Sequence, residues 1–123
     1  MLLADTSAWI EYLKAAGSPP AVRLREAITR SEVVILDPIL LEIMAGARRE
    51  VASSTQRLLE SQRVEPIRPR LDWLDAARIH RELRWRGVTV RSQMDALIAA
   101  AAIRLDLPVL HCDRDFDAIA RYT

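Results

Sequence analysis

Two kinds of segment alternate along this chain of 123 residues. Short runs that are apolar throughout, Leu2-Leu3-Ala4 and the β-branched Val33-Val34-Ile35-Leu36, read as strands covered on both faces, because a half-solvated strand would alternate apolar with polar side chains. Val64-Glu65-Pro66-Ile67 is a weaker candidate, and Pro108-Val109-Leu110-His111 supplies a last strand. Between these runs, apolar residues recur at helical spacing over 8–15, 21–30, a stretch opening at Asp37-Pro38, 52–62, 70–86, a run from Ser92 to about Asp106, and a closing segment at 114–121. The punctuation agrees. Thr6 and Ser7 offer hydroxyl caps to the first helix; Asp37 at N-cap and Pro38 at N1 suit the third; Gly87 ends the long one. Ser92-Gln93-Met94-Asp95 has the spacing of a capping box, with Asp in place of the usual Glu or Gln. On 70–86, Trp73, Ala76, Ile79 or His80, and Leu83 are expected to share the buried face.

This order predicts a single α/β domain over residues 1–123 with a mainly parallel central sheet and right-handed crossovers. Sites in such sheets form outside the carboxyl ends of the strands. Asp5 follows the first strand, and Asp113 lies just beyond the last.

Composition narrows the class. Half the residues are apolar and 28% are charged, which allows a core and excludes a disordered or collagen-like chain. A lone cysteine, Cys112, excludes a disulfide scaffold or a Cys-rich zinc site. The sequence has no apolar stretch long enough for a membrane, and Asp5 comes too early for a signal peptide, so a soluble, cytoplasmic protein without membrane contact is expected. The 18 Lys and Arg against 17 Asp and Glu leave a formal charge of +1, with no global basic footprint. Locally the balance changes: residues 48–91 carry eleven Arg against six acids, whereas both flanking segments are net acidic. Arg suits phosphate recognition, because its planar fork donates in pairs; the alternative is a solvated helical surface.

The candidate chemistry lies in the acids. Asp5, Glu42 within Ile39–Met44, and Asp95 before Ala96-Leu97-Ile98-Ala99-Ala100 each interrupt segments that otherwise read as buried. A buried carboxylate must be paired, protonated or metal-bound. No Lys or His stands beside them, so their convergence would call for a divalent cation, and oxygen ligands without a Cys/His cluster suit Mg²⁺ or Mn²⁺. Plainer roles exist: Asp5 as the start of a helix, Asp95 as a capping-box residue, Glu42 paired with Arg48 or Arg49, and Asp113, Asp115 and Asp117 as a solvated turn.

Four ordered motifs carry a resemblance. Asp5-Thr6-Ser7 after an apolar strand, Glu42 followed by Ala45-Gly46, Arg91-Ser92 before Asp95, and Asp113-Arg114-Asp115-Phe116 together resemble the PIN-domain nucleases, and within them the VapC toxins of bacterial type II toxin–antitoxin pairs. The likeness runs from Leu2 to Ala120. It implies a PIN-like three-layer domain and a Mg²⁺-dependent endoribonuclease, with Mn²⁺ as a substitute. Acids matching Asp5, Glu42, Asp95 and Asp113 would hold the metal, with Asp115 as a further ligand. Thr6 or Ser7 would orient the first acid or a water, and Arg91 would contact RNA or a partner. The resemblance also implies a VapB-like antitoxin lying over the site and a homodimer. Core packing is the expectation for Trp9, Trp73 and Trp85, with the antitoxin interface as the alternative; Cys112, His80 and His111 are assigned to packing or surface.

Other readings fit less well. A haloacid-dehalogenase-like phosphatase would want Asp-x-Asp at the first strand, and a receiver would want a late Lys, whereas the one Lys is Lys14. A non-catalytic PIN-like binding module and a PIN nuclease of RNA processing remain as alternatives.

Overall fold

β1 (Leu2–Ala4) and β2 (Val33–Leu36) are buried along their whole length, as unbroken apolar runs require. The computed structural model describes residues 1–90, 92–112, 116, 117, 119 and 120, which fall into two compact units. Arg91, Asp113 and Asp115 lie outside the described residues, as do positions 114, 118 and 121 of the expected closing helix.

The first unit comprises Met1–Pro66 with Pro108–Cys112. Its sheet is wholly parallel, in the order β3-β2-β1-β4, with β3 at Arg63–Glu65 and β4 at Val109–Leu110. Leu3 pairs with Val34 on one side and Val109 on the other. This is the α/β class expected from the alternating segments. β3 starts one residue before the expected strand and stops ahead of Pro66, which has no N–H for a ladder. The order runs outward from β1 to β3 and then jumps to the opposite side of β1 for β4, so strand order reverses between β1 and β4. In open parallel sheets such a switch, at the strands' carboxyl ends, is where sites form.

Four helices belong to this unit: α1 (Thr6–Leu13), α2 (Pro19–Thr29), α3 (Asp37–Ala45) and α4 (Ala52–Glu60). α1 begins two residues earlier than the pattern suggested, because Asp5 rather than Thr6 or Ser7 is its cap: the Asp5 carboxylate accepts the N–H of Ala8 at 3.0 Å. α3 likewise starts at Asp37, with Leu36 at the N-cap and no side-chain cap. Trp9 is fully buried, its ring edge-on to Tyr12 with centroids 5.8 Å apart.

The second unit comprises Ile67–Leu107 and the described residues beyond 112. It is built on α5 (Leu71–Trp85) and α6 (Gln93–Leu105); Phe116, Asp117, Ile119 and Ala120 are helical. Gly87 follows α5 with φ +75°, a conformation open to glycine at little cost. Ser92 is the N-cap of α6, as expected, its side chain accepting the N–H of Met94 at 3.1 Å. On α5 the buried stripe is Asp72, Ala76, Ile79 and Leu83. Trp73 stands about 100° round the helix from that stripe, and it is 59% exposed instead of sharing the buried face; Trp85 is 69% exposed.

Asp72 was not singled out by the sequence, yet it is completely buried. Arg104 grips both its oxygens, Nε on Oδ1 and Nη2 on Oδ2, each at 2.9 Å, and the Arg68 backbone N–H adds a bond to Oδ2 at 2.8 Å. Burial pushes the Asp72 pKa up, but the hydrogen bonds from Arg104 and Arg68, with their positive charges, outweigh it and hold the carboxyl below its ordinary range. The pair ties the start of α5 to the end of α6.

Candidate active site

Asp5 sits directly after β1, at the carboxyl end of the strand beside the switch point, and is only 3% exposed. Its backbone N–H bonds Leu110 O of β4 at 3.1 Å. On its side chain, Oδ1 accepts two hydrogen bonds, from Ser7 Oγ at 2.7 Å and from the Ala8 N–H at 3.0 Å. Hydrogen bonds to an ionised group are worth about 1.5–3 kcal/mol each, so this carboxylate is held in one orientation.

Thr6 and Ser7 have separate duties. Ser7 orients Asp5 and also accepts the backbone N–H of Cys112 at 2.9 Å, which fixes the chain leaving β4 against the start of α1. Thr6 Oγ1 donates to Glu42 Oε1 at 3.0 Å, bridging α1 to α3. The structure thus brings Asp5, Thr6, Ser7 and Glu42 together at one end of the first unit. Glu42 takes its hydrogen bond from Thr6, and no ion pair with Arg48 or Arg49 forms among the described residues.

Glu42 departs from expectation in one respect. Its segment reads as buried, but only Ile39 and Ile43 of α3 are, and Glu42 is exposed. A surface helix buries one stripe, here the i, i+4 pair, whatever the apolar content of the rest. Beside Glu42 a groove of about 790 Å³ opens in this unit, lined by aliphatic side chains that include Ile10, Leu13, Ile43, Val51 and Leu58.

In the second unit Asp95 is half-buried in the first turn of α6, at the N3 position after the Ser92 cap, where the positive end of the helix dipole favours a carboxylate. Within neither unit do three or more described His, Cys, Asp or Glu side chains gather into a set that could hold an ion. Asp113 and Asp115 lie outside the described residues.

The oxygens joined here by hydrogen bonds, Asp5 with Ser7 and Glu42 with Thr6, are hard donors of the kind that suits Mg²⁺ or Mn²⁺. The one nearby sulfur does not compete: partial burial, then the negative charges of Glu11 and Asp5, push the Cys112 thiol pKa up, and a protonated thiol is a poor ligand. Of the three tryptophans Trp9 is core, while Trp73 and Trp85 are exposed, against the packing role expected of them.

Comparison with known proteins agrees with the motifs. The model of the PIN domain family matches residues 2–122. Similar proteins include VapC ribonuclease Mb1587 of Mycobacterium bovis and Ribonuclease VapC11 of Mycobacterium tuberculosis, each 41% identical over 126 aligned positions that cover all of this chain and 94% of the relative.

Proposed function

Because this chain belongs to the PIN domain family, we propose that residues 1–123 act as one nuclease domain, a divalent-metal-dependent endoribonuclease serving as the toxin of a VapBC-type pair in the cytoplasm. The observation that carries this reading is the Asp5 carboxylate, buried beside the switch point and fixed through Oδ1 by Ser7 and Ala8. No helix among the described residues is long and apolar enough to cross a membrane.

The proposed metal is Mg²⁺, with Mn²⁺ as a substitute, held directly or through water by Asp5, Glu42, Asp95 and Asp113, with Asp115 as a further ligand. When bound, the cation supplies Lewis acidity, which activates water and neutralises charge building on the phosphate oxygens. The chain's own part is to place negative charge in advance. Ser7 and Thr6 orient Asp5 and Glu42 before substrate arrives, so little reorganisation remains for the reaction itself. Water attacks the phosphodiester phosphorus in line with the departing ester oxygen. Its proton passes to a carboxylate, and none of the acids bonds to phosphorus. Arg91 serves RNA phosphate or a partner's carboxylate.

The antitoxin, a VapB-like protein, covers this site. The aliphatic groove beside Glu42 supports that role, since an apolar segment seated there would cover the Glu42 edge. Homodimerisation completes the reading, with sedimentation velocity as its check.

The deciding experiment is cleavage of total cellular RNA by purified, antitoxin-free protein with Mg²⁺, with Mn²⁺ and with EDTA, alongside Asp95→Asn. Discrete cuts that vanish with EDTA and in the variant are expected. Cutting that survives EDTA, or a variant as active as the parent, would overturn the assignment.

A further inference from the structure

The second unit has a groove of its own, of about 520 Å³, between α5 and the first turns of α6. Trp73, Ala77, Met94 and Leu97 give it an apolar wall, and Arg81 and Arg84 stand at its edge. Residues 73, 77, 81 and 84 form one stripe along α5, on the side the core does not use. Trp73 is 59% exposed and lines the same groove as the two arginines, about two and three turns before them on α5.

We propose that this groove binds single-stranded RNA, stacking a base on Trp73 and pairing the flanking phosphates with Arg81 and Arg84; the idea rests on the ribonuclease reading above.

Three observations choose RNA over a protein. The first is charge: α5 carries Arg78, Arg81 and Arg84, while one of its three acids, Asp72, is already neutralised by Arg104. Arg81 and Arg84 meet no carboxylate among the described residues, so the rim is positive. A second copy of the chain would bring like charge to like charge across a two-fold interface, whereas a polyanion is complementary. The second is chemistry: aromatic rings beside guanidinium groups make a sequence-tolerant platform for unpaired bases. Arg81 already lies over the Trp85 ring, its guanidinium carbon 5.7 Å from the centroid, which orients the planar fork before any phosphate arrives. The third is position: Gln93 and Met94, which line the groove, share their turn with Asp95. RNA held along Trp73 and Arg84 is thereby delivered to the turn that carries a proposed metal ligand. Unpaired RNA is the form whose bases can splay out and stack.

The test is fluorescence anisotropy with a short, unstructured, fluorescein-labelled single-stranded RNA, titrated with Asp95→Asn protein in EDTA so that binding is read without cleavage. Adding Trp73→Ala should weaken binding roughly tenfold, while Trp73→Phe, which keeps a stacking face, should restore most of it. Arg81→Ala with Arg84→Ala should weaken binding and lower the salt slope by about 1.4. Unchanged affinity and slope in these variants would overturn the proposal. So would a Trp73→Ala variant that binds RNA normally but turns a dimer into a monomer, or loses the antitoxin, because the groove would then belong to a protein partner. Cleavage by the parent is scored separately. A parent that cuts RNA with unaffected Trp73 variants sinks the groove alone, and a parent that never cuts but whose binding depends on Trp73 sinks the nuclease and leaves the groove.

Discussion

Among the described residues two carboxylates are almost completely buried, Asp5 in the first unit and Asp72 in the second, and the described donors to them differ. Both oxygens of Asp72 are taken by the guanidinium of Arg104, so its charge is cancelled where it stands. The described donors to Asp5 are of another kind: its Oδ1 is held by the Ser7 hydroxyl and the Ala8 backbone N–H. Burial alone therefore does not mark a functional acid. A two-pronged guanidinium marks Asp72 as half of a structural pair, whereas Asp5 is marked by its place directly after β1 beside the switch point.

That contrast breaks most sharply on isosteric substitution. Asp5→Asn should lower RNA cleavage by about a thousandfold or more, the scale of losing charge at a metal-assisted phosphoryl site, while circular dichroism and melting stay near the parent's. Retained cleavage would put Asp5 in the same class as Asp72. Asp72→Asn should do the reverse, costing about 3 kcal/mol of stability by leaving Arg104 without its buried partner, with cleavage per folded molecule little changed. Denaturant titration reads it.

The pH dependence of stability sharpens the same point. Asp72 has a folded pKa below its unfolded value, so the pair's stabilisation is complete above about pH 4 and drains away as pH falls through the folded value. The stability gap between parent and Asp72→Asn should accordingly narrow in acid; a gap constant with pH would mean that the ion pair contributes nothing through its charge. Ser7→Ala should be milder, lowering cleavage about tenfold through loss of one charge-assisted hydrogen bond, chiefly in kcat. Asp117→Asn, at an exposed position, should fall within about 0.5 kcal/mol of the parent in stability and leave cleavage intact; sensitivity equal to that of Asp95 would move the C-terminal ligand to Asp117.

The sequence was most legible where local rules decide. β2 falls on Val33–Leu36, because an apolar β-branched run of that length has few alternatives. Gly87 and Ser92 mark helix ends through φ and capping. Phase was harder to read. Periodicity on α5 includes the true stripe of Ala76, Ile79 and Leu83, but admitting Trp73 rotates it by about 100°, and hydrophobicity alone cannot prevent that. Glu42 reads as embedded for a related reason: α3 is apolar nearly all round, so pattern does not reveal which residues face water. Asp72 stayed invisible, since its partner Arg104 lies 32 positions away and only the meeting of α5 and α6 joins them. The division of labour between Ser7 and Thr6 was equally hidden, because Glu42 and Cys112 come near only once the sheet has formed.

The bond from the Cys112 N–H to Ser7 spans 105 positions of sequence, and β4 reaches β1 across almost the same gap. Long-range strand pairing of this kind forms slowly and late. During synthesis the Asp5 end of the sheet thus stays without its flanking strand, and Ser7 without its second anchor, until residues 108–112 have left the ribosome. A nascent chain that stops short of those residues therefore carries Asp5 without the strand and the backbone N–H that complete its surroundings.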